Sequence, residues 1–230
     1  MTDHTPEALC DPVLMVAGLP HGFGQRGGGH VPENTTFPVQ VHGIAVAEAS
    51  ADRRVENEEA DAVVCAVPGR SVGIVTADCL PILAAGADGS AVLAIHAGWR
   101  GLAAGVIEAG IRALRTRSQT AELVAALGPA ARGCCYEVDG PVEAALAERY
   151  SADLEGVLVP GRPGRHQLDL PLLAARILAG LGVEPTRIGT AHRVCTICDA
   201  DRFESYRREG ASAGRLRHFI SLPAGSSRQG

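Results

Sequence analysis

The chain contains no lysine: all 21 of its basic residues are arginine. That excludes a Schiff-base lysine, a pyridoxal phosphate aldimine and the lysine of a P-loop. Any phosphate must then be held by arginine, by backbone N–H groups or by a metal. A GC-rich genome is a sufficient cause of the bias, but the exclusion stands whatever its origin. Long apolar runs are also missing, so no segment reads as a membrane span. The stretch Met1 to Asp11 is polar and acidic and lacks the basic and apolar regions of a signal peptide. Cytoplasmic residence is the expectation. The net charge of −5 gives no basic footprint for nucleic acid.

What is present is ordinary for a globular protein. Hydrophobic residues make up 46% and charged residues 20% of 230 positions, enough chain for one domain with a real core. Cysteines stand at Cys10, Cys65, Cys79, Cys134, Cys135, Cys195 and Cys198. The odd count, the adjacent pair and the missing secretion signal argue against a disulfide framework. Reduced thiols used for metal binding or nucleophilic chemistry fit better.

Residues 1–18 read as an N-terminal tail and first strand, residues 19–223 as a single catalytic domain, and residues 224–230 as a disordered tail. The Gly- and Pro-rich stretch 19–36 reads as a loop, and the charged stretch 48–60 as a solvated turn or short helix. Short apolar segments at Asp61 to Val67, Val72 to Thr76, Leu80 to Ala85 and Ala91 to His96 read as strands, with a hairpin turn at Ala85 to Gly89. Leu102 to Arg115 has helical spacing. Leu123 to Leu127 reads as a strand, and Pro141 to Tyr150 as a helix with proline in its first turn. Val157 to Val159 and Gln167 to Leu168 are weaker strand candidates. A helix at Leu172 to Leu181 and closing strands at Arg187 to Thr190 and His218 to Leu222 complete the order. Strand-rich first and mixed later, it favours an α+β fold with mixed sheets packed between helices.

Three segments carry the chemistry: Gln40-Val41-His42-Gly43, Thr76-Ala77-Asp78-Cys79-Leu80-Pro81 and His96-Ala97-Gly98-Trp99-Arg100-Gly101. Each places a metal-capable or polar residue at the end of an apolar run, where a strand supports a site and a loop opens it. Cys79 and His96 flank the predicted hairpin. Together with His42 they supply two imidazoles and a thiolate, the donor count of a catalytic zinc site with an open fourth position. Taken singly, each His also reads as a structural residue, and Cys79 as a small buried hydrophobe.

These segments, with GPA, GCCYEV and CTIC followed by FESYRR, resemble the laccase-domain family from about His21 to Leu222. Its members have been described as polyphenol oxidases and as purine nucleoside phosphorylases. The resemblance implies zinc bound by His42, Cys79 and His96, and phosphorolysis of adenosine, inosine and 5′-methylthioadenosine, with adenosine deamination as a further activity. It implies nucleoside and phosphate as the partners. One departure stands out: Arg26-Gly27-Gly28-Gly29 is joined to QVHG by the short link VPENTTFPV, where the family has a longer, pocket-shaping segment.

Arg100 and Arg26 are phosphate candidates by their guanidinium chemistry, with structural ion pairing as the alternative for Arg100. Asp78 either orients a ligand or accepts a proton, or caps a turn. Cys195-Thr196-Ile197-Cys198 is a CxxC, weak alone because a structural zinc needs four ligands; Cys134 or Cys135 would have to complete it. Phe203 to Arg208 offers aromatic and polar contacts near the pocket. Three other functions compete. A copper-dependent polyphenol oxidase is disfavoured by eight His and no His-x-His pair, although copper would bind such a site in place of zinc. A hydrolase would use Cys79 as nucleophile and His96 as base, and the resemblance implies peptidoglycan precursors as its substrate. A non-catalytic scaffold is opposed by the intact motifs.

Overall fold

The computed structural model describes residues 7–224. Along the chain lie α1 (Pro12–Val16), β1 (His21–Gly22), β2 (Thr35–Thr36), β3 (Val46–Ala49), β4 (Ala62–Cys65), β5 (Ser71–Thr76), β6 (Leu80–Gly86) and β7 (Val92–Ala97). They are followed by α2 (Trp99–Ala104), α3 (Val106–Arg117), β8 (Leu123–Leu127), β9 (Glu137–Asp139), α4 (Gly140–Tyr150), β10 (Leu158–Pro160), β11 (Arg165–Leu168), α5 (Leu170–Gly180), β12 (Ile188–Gly189), α6 (Tyr206–Glu209) and β13 (Leu216–Ser221).

The main sheet has the order β12-β8-β6-β7-β4-β3. Its edge pairs, β12 with β8 and β3 with β4, are parallel and the inner pairs antiparallel. A second sheet has the order β1-β13-β5-β2 and a third β10-β11-β9. Every residue of β6 and β7 is buried, because both faces of the main sheet are covered. On one face Ile82, Leu93 and Ile95 share a core with Ile107 and Ile111 of α3 and Leu173 of α5. On the other, Leu83, Val92 and Ala94 meet Val72 and Ile74 of β5, Ile220 of β13 and Leu14 of α1. Strands covered on both faces read as continuous apolar runs rather than alternation, as LPILAAG and VLAIHA do. The α+β arrangement of mixed sheets against helices is the one expected.

Several elements differ from expectation for local reasons. The helix expected over Leu102 to Arg115 starts earlier and is divided by Gly105, whose φ of +98° ends α2 and turns the chain into α3. In the stretch expected to hold a tail and first strand, the described residues form α1. Asp11 accepts from the Val13 amide and Pro12 opens the first turn, a favoured helix start. Strand-like pairing there is a single bridge from Leu9 to Phe23. The expected loop 19–36 contributes β1 and β2, which flank β13 and β5. The solvated stretch 48–60 begins with the last two residues of β3. Most of the tail expected at 224–230 lies outside the described residues. Among the described residues, no helix is long and apolar enough to cross a membrane.

His218 on β13 ties the second sheet together without a charge. It is fully buried; its Nδ1 accepts from the Gly24 amide at 3.2 Å, so Nε2–H is the donor to Thr76 Oγ1 at 2.9 Å. Burial, with His96 nearby, pushes its pKa down to about 3 from 6.5. The folded pKa is therefore below the unfolded one. The stabilisation is whole above about pH 6.5 and is lost as pH falls towards about 3. Denaturant midpoints should drop as pH is lowered through this window, and His218→Gln should flatten the drop. Parallel curves for the two proteins would remove His218 from the acid limb.

Candidate metal centre

The register of the central hairpin builds half of the site. Leu80 lies opposite Ala97 and Pro81 opposite His96, so Cys79 stands beside Gly98 where β6 begins and β7 ends. The approach leaves no room for a side chain at Gly98: a Cβ there would meet Cys79 Sγ at 2.9 Å and His42 Cδ2 at 3.1 Å.

His42 arrives on the loop before β3, and two side chains pin that loop. Gln40 imitates a neighbouring strand, its Nε2 donating to the Val75 carbonyl at 2.8 Å and its Oε1 accepting from the Val75 amide at 2.7 Å. The carboxylate of Asp61 accepts from the amides of Val41 (3.2 Å), His42 (2.9 Å) and Gly43 (2.6 Å). Asp61 also accepts from His96 Nδ1 at 2.7 Å. Burial alone would push the Asp61 carboxyl up; the His96 imidazole and the Gly43 and Val41 amides hold it below its usual value. His42 sits at φ +60°, a conformation that costs a non-glycine residue about 1–3 kcal/mol and persists where surroundings enforce it.

With Nδ1 of His96 committed to Asp61, its other ring nitrogen is left for the cleft. Cys79 Sγ lies 3.9 Å from His42 Nε2, and the rings of His42 and His96 are 4.8 Å apart at 79°. The three donor atoms lie within 4.8 Å of one another. Bonds of about 2.0–2.3 Å around a tetrahedral zinc separate its donors by roughly 3.3–3.8 Å, so modest side-chain adjustment would bring the three around one ion. Burial pushes the Cys79 thiol up, yet the imidazoles of His42 and His96 overcome it and bring the thiol down to about 7. His96 is opposed by burial but raised to about 9 by Asp61 and Cys79. The residues thus support a thiolate beside a cation, whether that cation is a proton on imidazole or a metal.

The donors open into a cleft of about 610 Å³ lined also by Trp99, Arg100, Tyr136, Tyr206, Arg207 and Arg215. Three of the chain's four Tyr and Trp residues are in this lining, a concentration suited to a planar ring. The Arg100 guanidinium lies 4.4 Å from the Trp99 ring centre and that of Arg207 4.9 Å from Tyr136. Burial, with Cys79 and Asp78 nearby, pushes the Tyr136 hydroxyl up to about 12. Asp78 reaches the lining, but its carboxylate is already engaged. It accepts from Thr196 Oγ1 (2.7 Å), Ser205 Oγ (3.0 Å) and the Arg207 amide (2.6 Å). Those bonds tie together the segments that carry Thr196, Ser205 and Arg207. Arg26, the other phosphate candidate, is not in the lining. It is paired with Glu209 and, at 3.4 Å, with Glu204, which neutralises it. The wall arginines are Arg207 and Arg215 in addition to Arg100. Tyr206 and Arg207 belong to a segment flagged in the sequence; Asp61 and Arg215 carried no signal there.

A three-donor, arginine-walled cleft at the strand ends of a mixed-sheet sandwich defines a metal-capable pocket protein with the layout of an enzyme. The sequence matches the family described as multi-copper polyphenol oxidoreductase laccase over residues 25–223, and the chain belongs to that family. It is 42% identical to a purine nucleoside phosphorylase of Xylella fastidiosa over 177 residues, covering 75% of this chain and 66% of that protein, just under two thirds of its length. It is 40% identical to a purine nucleoside phosphorylase of Pseudomonas aeruginosa over 183 residues, 80% of this chain and 71% of that one. Among solved structures, YlmD of Geobacillus stearothermophilus superposes with a TM-score of 0.76 at 28% identity, over 83% of this chain and 74% of that one. The YfiH protein of Bacillus licheniformis gives 0.75 at 26%, over 82% and 74%.

The close packing at Gly98 and the buried Asp61 carboxylate make separable demands. Gly98→Ala should lose metal binding at this site while keeping the wild-type circular dichroism spectrum. Asp61→Asn should weaken metal affinity about 10–100-fold, the usual cost of losing a carboxylate behind a ligating imidazole. Unchanged affinity in both variants by competition with a chelating dye would remove this cluster as the metal centre.

Proposed function

We propose that this chain is a zinc-dependent purine nucleoside phosphorylase acting on adenosine, inosine and 5′-methylthioadenosine, with adenosine deamination as a second activity of the same cleft. The observation that carries the reading is the convergence of His42, Cys79 and His96 on a cleft walled by arginines and aromatic rings. Relatives named purine nucleoside phosphorylase support it.

In phosphorolysis a phosphate oxygen bonds to C1′ of the ribose while the C1′–N9 bond breaks, and the base leaves with the electron pair and gains a proton. Arg100, Arg207 and Arg215 supply the positive charge that orients phosphate, a task lysine cannot perform in this chain. Trp99, Tyr136 and Tyr206 offer faces for the purine. The Tyr136 hydroxyl, held protonated at neutral pH, donates a hydrogen bond to substrate. Asp78 and Gln40 hold the wall and the His42 loop in place. Zinc, which His42, Cys79 and His96 would hold, would supply Lewis acidity to the cleft.

Two other readings keep specific support. The thiolate character of Cys79 beside His96 suits a cysteine hydrolase acting on peptidoglycan precursors. Two His and one Cys also accept copper, the ion of a laccase-like oxidase, although one such centre is not a multicopper array. Purified without a His-tag, the protein should lose one zinc equivalent in Cys79→Ala and release adenine from adenosine only when phosphate is added. Arg207→Ala should raise the KM for phosphate about tenfold or more, as expected for a lost charge-assisted hydrogen bond, with metal content unchanged. Zinc unaffected by Cys79→Ala, with Cys79 readily alkylated, would favour the hydrolase.

Metal retention should also depend on pH. Binding must displace protons from Cys79 and His96, so acid competes with the ion. A chelator should strip this site faster as pH is lowered from about 8 to about 6, across the value near 7 for Cys79. A stripping rate that does not change over this range would argue against the thiolate–imidazole donor set.

A further inference from the structure

Outside the cleft, four cysteines that the proposed reaction does not use come together. Cys134 and Cys135 lie in the turn between β8 and β9; Cys195 and Cys198 lie in the segment after β12. Cys198 Sγ is 2.9 Å from Cys135 Sγ and 3.4 Å from Cys134 Sγ, and all four sulfurs lie within 4.8 Å of one another. We propose that Cys134, Cys135, Cys195 and Cys198 form a tetrathiolate site for one structural zinc ion, distinct from the site in the cleft.

The backbone is already arranged for such a site. The two segments are held in register by a parallel bridge from Ala130 to Cys195, with the Thr196 amide donating to the Ala130 carbonyl at 3.1 Å. On one side the Cys135 and Tyr136 amides both donate to the Arg132 carbonyl, at 2.9 and 2.8 Å. This tight turn lets adjacent cysteines reach the same point. On the other side the CxxC segment closes a turn in which the Asp199 amide donates to the Cys195 carbonyl at 3.2 Å. Arg208 braces the same turn, its Nη1 donating to the Thr196 and Ile197 carbonyls at 2.7 and 2.9 Å.

The arrangement is not that of paired disulfides. One sulfur, Cys198 Sγ, approaches two others, and the four form a single cluster. Four thiolates around zinc at about 2.3 Å stand roughly 3.8 Å apart, within the spread observed. The ion would also clamp the cleft wall without touching substrate. Tyr136 follows Cys135 directly, and Thr196, between Cys195 and Cys198, donates to Asp78, which in turn holds the Arg207 amide.

The test separates the two sites. Wild-type protein purified under reducing conditions should carry two zinc ions, Cys79→Ala one, and the double variant Cys134→Ser with Cys198→Ser one, with a lowered Tm. Should the double variant fail to fold, the cobalt-substituted Cys79→Ala protein decides alone. Its only clustered thiols are these four, so it should show the intense thiolate-to-metal charge-transfer bands and tetrahedral ligand-field spectrum of a four-sulfur site. Of the six thiols it retains, Cys65 is buried and the four clustered ones are held by metal, so only the exposed Cys10 should react readily with a thiol reagent. A cobalt spectrum without charge-transfer bands, ready reaction of Cys134, Cys135 and Cys198 with the reagent, or recovery of the four cysteines as disulfides from freshly isolated protein would each overturn the proposal.

Discussion

The carboxylate of Asp61 has no exposed surface and accepts four N–H bonds, three from the backbone around His42 and one from the His96 ring. It therefore couples a loop to a strand. A buried charge left unpaired would be costly, and every donor that satisfies it belongs to the metal-capable pocket. The positive φ of His42 follows from the same constraint, because that backbone turn aims consecutive amides at one carboxylate. The ring of His96 is turned by the same hydrogen bond, leaving one nitrogen for the cleft. Second-sphere carboxylates behind imidazole ligands act in this way, and here the carboxylate also fixes the loop that carries a further donor.

The rest of the fold supplies rigidity to that arrangement. The main sheet is covered on one face by α3 and α5 and on the other by a second sheet. The central hairpin has no solvated face along which to slip, and a slip of one residue would turn its side chains to the opposite layer. Its fixed register is what sets Cys79 beside Gly98. The close fit of α3 at Gly110, where a Cβ would stand 2.9 Å from Ile95 Cδ1, belongs to the same packing. The cleft wall is held more locally, through Asp78 and the turns around Thr196 and Arg207.

Family membership and the geometry of the cleft bear on different questions. The family description names copper and polyphenol oxidation, while the Xylella and Pseudomonas relatives, at 42% and 40% identity, are named purine nucleoside phosphorylases. The proposed phosphorylase reading draws on the residues themselves: one three-donor cluster, arginines in place of any lysine, and a cleft that gathers most of the Tyr and Trp. The chain spans 66% of the Xylella relative and 71% of the Pseudomonas one. The link at 31–39 contributes β2, paired with β5, and the His42 segment after it is held by Gln40 and Asp61.

By itself the sequence determined the three donor-bearing segments, the central hairpin and the α4 and α5 helices, because these rest on local signals. Apolar runs bounded by turn residues mark strands, and a proline or capping aspartate marks a helix start. It also determined, through the absence of lysine, that arginine would carry the positive charge. Tertiary structure alone decided which of those arginines face the cleft. Arg26 lies in a Gly-rich motif yet is neutralised by Glu204 and Glu209, distant in sequence, while Arg215 carries no motif and lines the wall. It decided the role of Asp61, an ordinary acidic residue before a strand until the His42 loop folds over it. It also decided the meeting of Cys134 and Cys135 with the CxxC, about 60 residues apart along the chain, a separation that leaves no periodicity to read. Local patterns fix where strands and turns begin; partners across a long separation are chosen only when packing brings their segments together.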